Sequence, residues 1–384
     1  MEKTFYCSDK KAKEKYRYLN NKPHCENAPS VIEYYEDGQI KKEEWRRNGI
    51  LHRTDGPALI EYYDNGEVME EIWYLEGKIH RTDGPARIKY YRNGKIEAEE
   101  WWIDDKIHRI NSPTVIKYYV SGQLREERWH KEGELHREDG PARIEYYKDG
   151  QKKYEAWYYE GELHNENGPA TIVYNENGEV VLEEWHMKGE LHREDGPAVI
   201  LWNENGYRTE IWRRNGKYIE DAPAVIKYYP DNRIYSVTWY KNNEIHRSGE
   251  PAVIKYYPSG QIMSEEWYYR GVLHRSGAPA VVMYNKHGNK SAEYWYEKGL
   301  LNRKDGPALT VYHVSGIPYR EEWHIKGMLH RADGPAQIEY DQLGEVIKEK
   351  YYINGKEITK EEFDRYSRIN KLLKESRKKQ KISL

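Results

Sequence analysis

The residues best equipped for chemistry are His52, Arg53 and Asp55, in the run His-Arg-Thr-Asp-Gly-Pro over 52–57. A base, a cation and a carboxylate within four residues could move a proton or hold an anion. The run returns along the chain, whole or worn. Ten of the 15 histidines occupy its first position: 24, 52, 80, 108, 136, 164, 192, 246, 274 and 330. An enzyme needs one constellation in one pocket. A constellation repeated in most units speaks for structure instead. The expected roles are Asp capping the turn that feeds Gly-Pro, Arg pairing with a recurrent Glu, and His packing beside a recurrent Trp. The histidines also fail as a shared metal site. Equivalent residues of a two-strand repeat stand about 10 Å apart, twice the strand spacing, and each ligand of one zinc must approach to about 2 Å. No catalytic, metal-binding or cofactor-binding residue is expected, and no small-molecule substrate.

The elements that position these residues follow from the prolines. They fall at 29, 57, 85, 113, 141, 169 and 197 in steps of 28, then at 223 after a step of 26, then at 251, 279, 307 and 335. A fixed period in this range means a repeat array, here of twelve units. After each proline, alternate positions are small, β-branched and aromatic, as in Ala58/Ile60/Tyr62 and Ala142/Ile144/Tyr146. That alternation is one side of a strand. Turns follow, such as Asn65-Gly66, Asn93-Gly94 and Asp149-Gly150, whose residue types suit the positive φ of hairpins. A second strand ends in Trp sixteen residues after the proline, from Trp45 to Trp323, with Trp212 one residue early and Tyr351 in the last unit. Glu stands two before that aromatic in eleven of twelve units, Val237 being the exception.

A second aromatic stands beside the strand-one tyrosine in the first five units: Tyr35, Tyr63, Tyr91, Tyr119 and Tyr147. Tyr229 and Tyr257 repeat it, and the remaining units carry Asn175, Asn203, Asn285, His313 and Asp341. Read as side chains pointing away from the Ala/Ile/Tyr stripe, these rings either stiffen the sheet by stacking or form an aromatic patch that a protein partner or a second copy covers. The five are the candidate partner-binding residues.

Composition sets outer bounds. Hydrophobic residues are 38%, charged residues 33%, with 37 Tyr and only 2 Phe. That suits a thin, half-wetted sheet better than a thick core. The net charge is −3, with +5 concentrated in residues 359–384 and −8 in the rest. An acidic body does not suggest nucleic-acid binding, except through the basic tail. Two cysteines argue against a disulfide framework. No apolar run reaches the length of a membrane span and no signal peptide is legible, so a soluble, cytoplasmic protein is expected.

Three segments result. Residues 1–28 are a lead-in, with Met1–Lys15 a short helix or frayed end and the rest the back half of a worn repeat. Residues 29–358 are the array, with an irregular joint near 197–245. Residues 359–384 form a helix and basic tail. Thr359 with Glu362 makes a capping box, and Phe363, Tyr366, Ile369, Leu372 and Leu373 mark one face. That helix is expected to cover the open last strand. The fold expected is all-β, an elongated single-layer antiparallel meander of twelve hairpin repeats with a C-terminal capping helix. At about 4.8 Å per strand, 24 strands would run about 110 Å. The rival is a β-solenoid of 28-residue coils.

The hairpin unit with Tyr and Trp on its strands, Asn354-Gly355-Lys356 in its turn, and the run from Trp267 to Ala280 resemble the MORN-type repeat superfamily. The resemblance is closer to the longer variant of bacterial antitoxin-like proteins and to repeat proteins of phages and large DNA viruses. It covers about residues 16–358. It implies a single-layer meander without an enzyme site. The expected function is a non-enzymatic scaffold for protein–protein interaction, of a viral or phage structural or host-interaction kind, in host cytoplasm or virion. The second reading is an antitoxin-like inhibitor holding a toxin along its sheet.

Overall fold

The computed structural model describes residues 2–6 and 12–382. Two units are distinguished, residues 1–193 and 194–384. Both are built from the same repeat, and 57–84 shows it. Leu59–Tyr62 pairs antiparallel with Val68–Ile72, in the register Leu59↔Ile72, Ile60↔Glu71 and Glu61↔Glu70. The register then shifts, so Tyr62 faces Val68 across a bulge. The second strand pairs on its other side with Arg87–Tyr90 of the next repeat, Glu71 against Ile88. Hairpin upon hairpin, this makes the antiparallel meander, and the solenoid alternative falls because every strand pairing among the described residues is antiparallel.

The second turn is more than a connection. Trp73 ends the long strand, and Tyr74–Leu75 then pairs with Lys78–Ile79 as a separate two-residue hairpin. Its central residues Glu76 and Gly77 both have positive φ, 52° and 84°. That is the backbone of a tight primed turn, which matches the twist of its arms. Repeat three has no glycine there, and Asp104 and Asp105 take φ of 48° and 63°. In repeat eight Asn242 and Asn243 do the same at 52° and 61°. Asp and Asn are the residues that tolerate this region best after Gly.

The core is thin, as the shortage of Phe suggests. Its regular centre is the small residue after each proline: Ala58, Ala86, Ala142 and Ala170 are wholly buried, as are Ala252 and Ala280 in the second unit. The main chain holds Ala58 on both sides. Ala58 N–H donates to Ile72 O, and Ala58 O accepts from Trp45 N–H of the preceding repeat.

Residues 1–28 differ from expectation. Glu2–Tyr6 is a strand, not a helix or frayed end, and it pairs with Ala12–Leu19. Thr4 faces Lys15 as Ile60 faces Glu71, each partner displaced by two periods. Glu2–Tyr6 and Ala12–Leu19 are therefore the two strands of a repeat that lacks the proline rather than half of a worn one, with residues 7–11 outside the described residues. Charge disguised it, since Lys15 and Arg17 form ion pairs with Glu2 across the hairpin, and pairing overrides weak local propensity.

Repeat seven shows what its missing residues did. Val199–Trp202 pairs with Arg208–Ile211 in continuous register, Trp202 against Arg208, with no bulge. One of the two missing residues is the bulge residue itself.

At the C-terminus Lys360–Ile382 is helical. The capping box forms: Thr359 N–H donates to Glu362 Oε2 at 2.9 Å, and Glu362 N–H to Thr359 Oγ1 at 3.2 Å. Phe363 is buried against Tyr351, ring centroids 4.8 Å apart. The lid is shorter than expected, because Ile369, Leu372 and Leu373 are exposed. The tail's side chains from residue 374 onward lie outside the described residues. Among the described residues no helix is long and apolar enough to cross a membrane.

Candidate functional site

The His-Arg-x-Asp motif resolves into separate contacts. Among the described residues the arginine of nine repeats lies over the Trp eight residues before it, from Arg53 on Trp45 at 4.3 Å to Arg303 on Trp295 at 3.8 Å. Stacked there, Arg53 turns Nε to Asp55 at 2.9 Å and Nη1 to the carbonyl of Pro57 at 3.3 Å. Arg81, Arg137 and Arg331 do the same. The expected pairing of this arginine with the recurrent glutamate is therefore incorrect. The carboxylate two residues on lies in the same tight turn and is within reach. Hydrogen bonding to the arginine holds Asp55, Asp83 and Asp139 below the usual carboxylate range.

The recurrent glutamate has a different partner. Tyr62 hydroxyl donates to Glu43 at 2.7 Å, Tyr90 to Glu71 at 2.6 Å, and Tyr146 to Glu127 at 2.7 Å. Among the described residues nine such pairs run through both units at 2.6–2.8 Å. Burial and the neighbouring carboxylate raise these phenols, Tyr284 to about 12. Val237 offers Tyr256 no carboxylate. Glu183, whose position-matched aromatic is Trp202 and so has no hydroxyl, is raised by burial.

The histidine holds the next repeat. His52 Nδ1 accepts from Glu76 N–H at 3.1 Å, His136 from Glu160 at 3.1 Å and His330 from Asn354 at 3.0 Å. Asn302 takes the same part with its side-chain oxygen, accepting from Lys326 N–H at 3.0 Å. In repeat seven Glu220 Oε1 accepts from Asn242 N–H at 2.8 Å. An acceptor is all the position needs. His136→Ala is accordingly expected to cost about 1 kcal/mol, the worth of one hydrogen bond, and to leave any binding unchanged. Urea unfolding beside a binding assay checks both, and lost binding with an intact fold would revive the catalytic reading.

The five candidate tyrosines start the first turn of their repeats, and their hydroxyls reach into the next one. Tyr35 donates to the carbonyl of Tyr62 at 2.7 Å, Tyr63 to Tyr90, Tyr91 to Tyr118, Tyr119 to Tyr146 and Tyr147 to Tyr174. Tyr229 and Tyr257 repeat the contact in the second unit. The rings thus form a row along the first-turn edge, all five half-buried. The asparagines that replace them act locally. Asn175 Oδ1 accepts from Asn177 and Glu179 N–H and caps its own turn.

His130 lies outside the motif, and sequence reading passed over it. Its Nδ1 is 2.6 Å from Thr114 Oγ1. Burial, with Arg128 nearby, pushes it down to about 4, so it stays neutral near pH 7. The signal for it was Thr114 in the alanine position, a hydroxyl that needs a partner when buried. Among the described residues no three His, Cys, Asp or Glu side chains are placed to hold a metal ion.

No family model matches the chain, and no curated protein matches it. Solved structures match weakly. The TcdB2-TccC3-TEV structure is 10% identical and covers 89% of this chain and 21% of that chain, with a TM-score of 0.14. TcdB2-TccC3 without its hypervariable C-terminal region is 11% identical, covers 91% and 24%, and has a TM-score of 0.12. The Tc holotoxin pore of Photorhabdus luminescens is 10% identical, covers 91% and 26%, and has a TM-score of 0.10. This chain spans about a quarter or less of the length of those chains.

Proposed function

We propose that the protein is a non-enzymatic repeat scaffold that docks a protein partner, or a second copy of itself, along the row Tyr35, Tyr63, Tyr91, Tyr119 and Tyr147. The observation that supports this is the set of hydroxyl bonds to the next repeat, which hold the five rings in place. A rigid aromatic row loses little entropy when a partner covers it, and Tyr is enriched where partners dock. The contacts of Arg53, Asp55 and His52 within the array support a structural role for the motif. A role as a viral or phage structural or host-interaction protein in the host cytoplasm is consistent with this reading.

Two triple variants separate docking from sheet stiffening. Changing Tyr63, Tyr91 and Tyr119 to Phe keeps the rings and removes three hydrogen bonds. It is expected to lower stability by about 3 kcal/mol, about 1 for each bond, and to keep association. Changing the same three to Ser removes ring area as well and is expected to lose association by analytical ultracentrifugation and co-purification, with the β-sheet circular dichroism retained. Association unchanged in the Ser variant would leave the tyrosines as stiffeners alone.

A further inference from the structure

The last long strand of residues 194–384 departs from the pattern of those before it. Pro318–Glu322 is paired on both sides, with Leu309–Tyr312 and with Gln337–Tyr340. Val346–Ile353 pairs with Gln337–Tyr340, and its last three residues pair with Lys356–Ile358. Among the described residues nothing pairs with the other edge of 346–350. Phe363 of the helix covers the Tyr351 end, and Val346 is 50% and Ile347 61% exposed. Glu349 is the recurrent glutamate of this repeat, and it alone of that set is exposed. Glu321 takes the hydroxyl of the next repeat's Tyr340 at 2.8 Å, whereas Glu349 takes that of Tyr351 on its own strand at 3.0 Å.

We propose that residues 346–350 are a docking edge for an extended acidic segment of a partner protein, which adds to the sheet as one more antiparallel strand. The array supplies the register. In each repeat the residue two after the proline faces the strand-two residue just before the Trp, as Arg87 faces Ile72, and the next two face Glu71 and Glu70. At the open edge these places belong to Lys350, Glu349 and Lys348. A visiting strand would set carboxylates opposite the two lysines and bring a tyrosine hydroxyl to Glu349. Main-chain bonds to an exposed edge give affinity, and the alternate side chains give selectivity. Lys348 lies 3.9 Å from Glu339, and Lys350 3.1 Å from Glu357. Both of these carboxylates belong to the array, so a visitor's carboxylate would be the second partner of each lysine, as Lys42 has two in Glu33 and Glu44.

The same charges argue against a second copy. Self-pairing centred on Lys348 sets that lysine against itself, and centring on Glu349 sets glutamate against glutamate. In the array's own register the Glu2–Tyr6 strand of another copy would bring Lys3 opposite Lys350. Like charges directly opposite are destabilising, and lysines on an open edge are a known guard against edge-to-edge association. An acidic strand turns that guard into attraction.

The edge lies in residues 194–384 and does not rest on the tyrosine row. The test uses the full chain and fluorescein-labelled peptides read by anisotropy. Pro-Ala-Glu-Ile-Glu-Tyr-Tyr is expected to bind at least tenfold tighter than Pro-Ala-Lys-Ile-Lys-Tyr-Tyr. The double variant Lys348→Glu, Lys350→Glu, its fold checked by circular dichroism, is expected to reverse that preference. Pro-Ala-Glu-Pro-Glu-Tyr-Tyr keeps the charge but loses the N–H that would face Glu349, and is expected not to bind. No preference between the first two peptides, no reversal in the variant, or equal binding of the proline peptide would each overturn the proposal.

Discussion

Ala142→Leu is expected to lower the stability of its unit by about 3 kcal/mol, at the upper end of the usual cost of overpacking, while Ala142→Ser is expected to be nearly neutral. Ala142 is wholly buried, and its carbonyl accepts the Trp129 N–H at 2.8 Å. Strand one of one repeat here passes against the Trp of the repeat before, so added methyls have nowhere to go without moving backbone. The chain has already made the conservative exchange. Ser30 fills the same place in repeat one, fully buried, with its hydroxyl donating to Glu44 O at 3.2 Å. Thr114 fills it in repeat four and donates to Arg128 O at 3.0 Å. A small hydroxyl fits because a carbonyl waits for it. Urea unfolding followed by tryptophan fluorescence measures both variants. A Leu variant as stable as wild type would mean that the alanine stripe is not the packing limit of the sheet.

The repeat, its two long strands and its turns were legible because each depends on near neighbours. Proline period, alternation and turn residues are local signals, and so is the Thr359/Glu362 cap. The errors came where partners lie a repeat apart. Glu43 and Tyr62 stand 19 residues apart and meet, a spacing that recurs in the sequence as regularly as the motif itself. Arg53 instead meets Asp55, two residues on, because stacking on Trp45 fixes where its guanidinium edge points. The tyrosine row was visible as a list of positions, but the carbonyl each hydroxyl reaches was not, since only the folded register brings Tyr35 to Tyr62. The additional repeat before Pro29 was missed because Glu2–Tyr6 has neither the proline nor the Ala/Ile pattern and is recognisable by pairing alone.

The protein is expected to lose its fold cooperatively in alkali, and to do so through the tyrosine–glutamate pairs. Among the described residues nine phenols donate to the recurrent glutamate of the preceding repeat. Each is raised above its ordinary value, by burial first and the carboxylate second, Tyr146 among them and Tyr284 to about 12. A raised phenol means that the folded state holds its proton more tightly than the unfolded chain does. The stabilisation is therefore complete below the unfolded value near 10, and it drains away as pH climbs from there through the folded value. At neutral pH these pairs titrate nothing, so stability should be flat in this respect. Above about pH 10 the unfolded chain releases phenolic protons that the folded one keeps, and each pair adds to the slope. Tyr118→Phe with Tyr146→Phe provides the control. It leaves Glu99 and Glu127 without their donors and is expected to start about 2 kcal/mol less stable at pH 7, about 1 for each lost bond. It should then fall less steeply between pH 10 and 12 than wild type, because two of the linked protons are gone. Urea midpoints at several pH values read the slopes. Lysines lose their charge in the same range in both proteins, so only the difference in slope belongs to the phenols. Parallel slopes would show that the pairs hold the sheet without being linked to protons, and the raised phenols would then have no consequence for its stability.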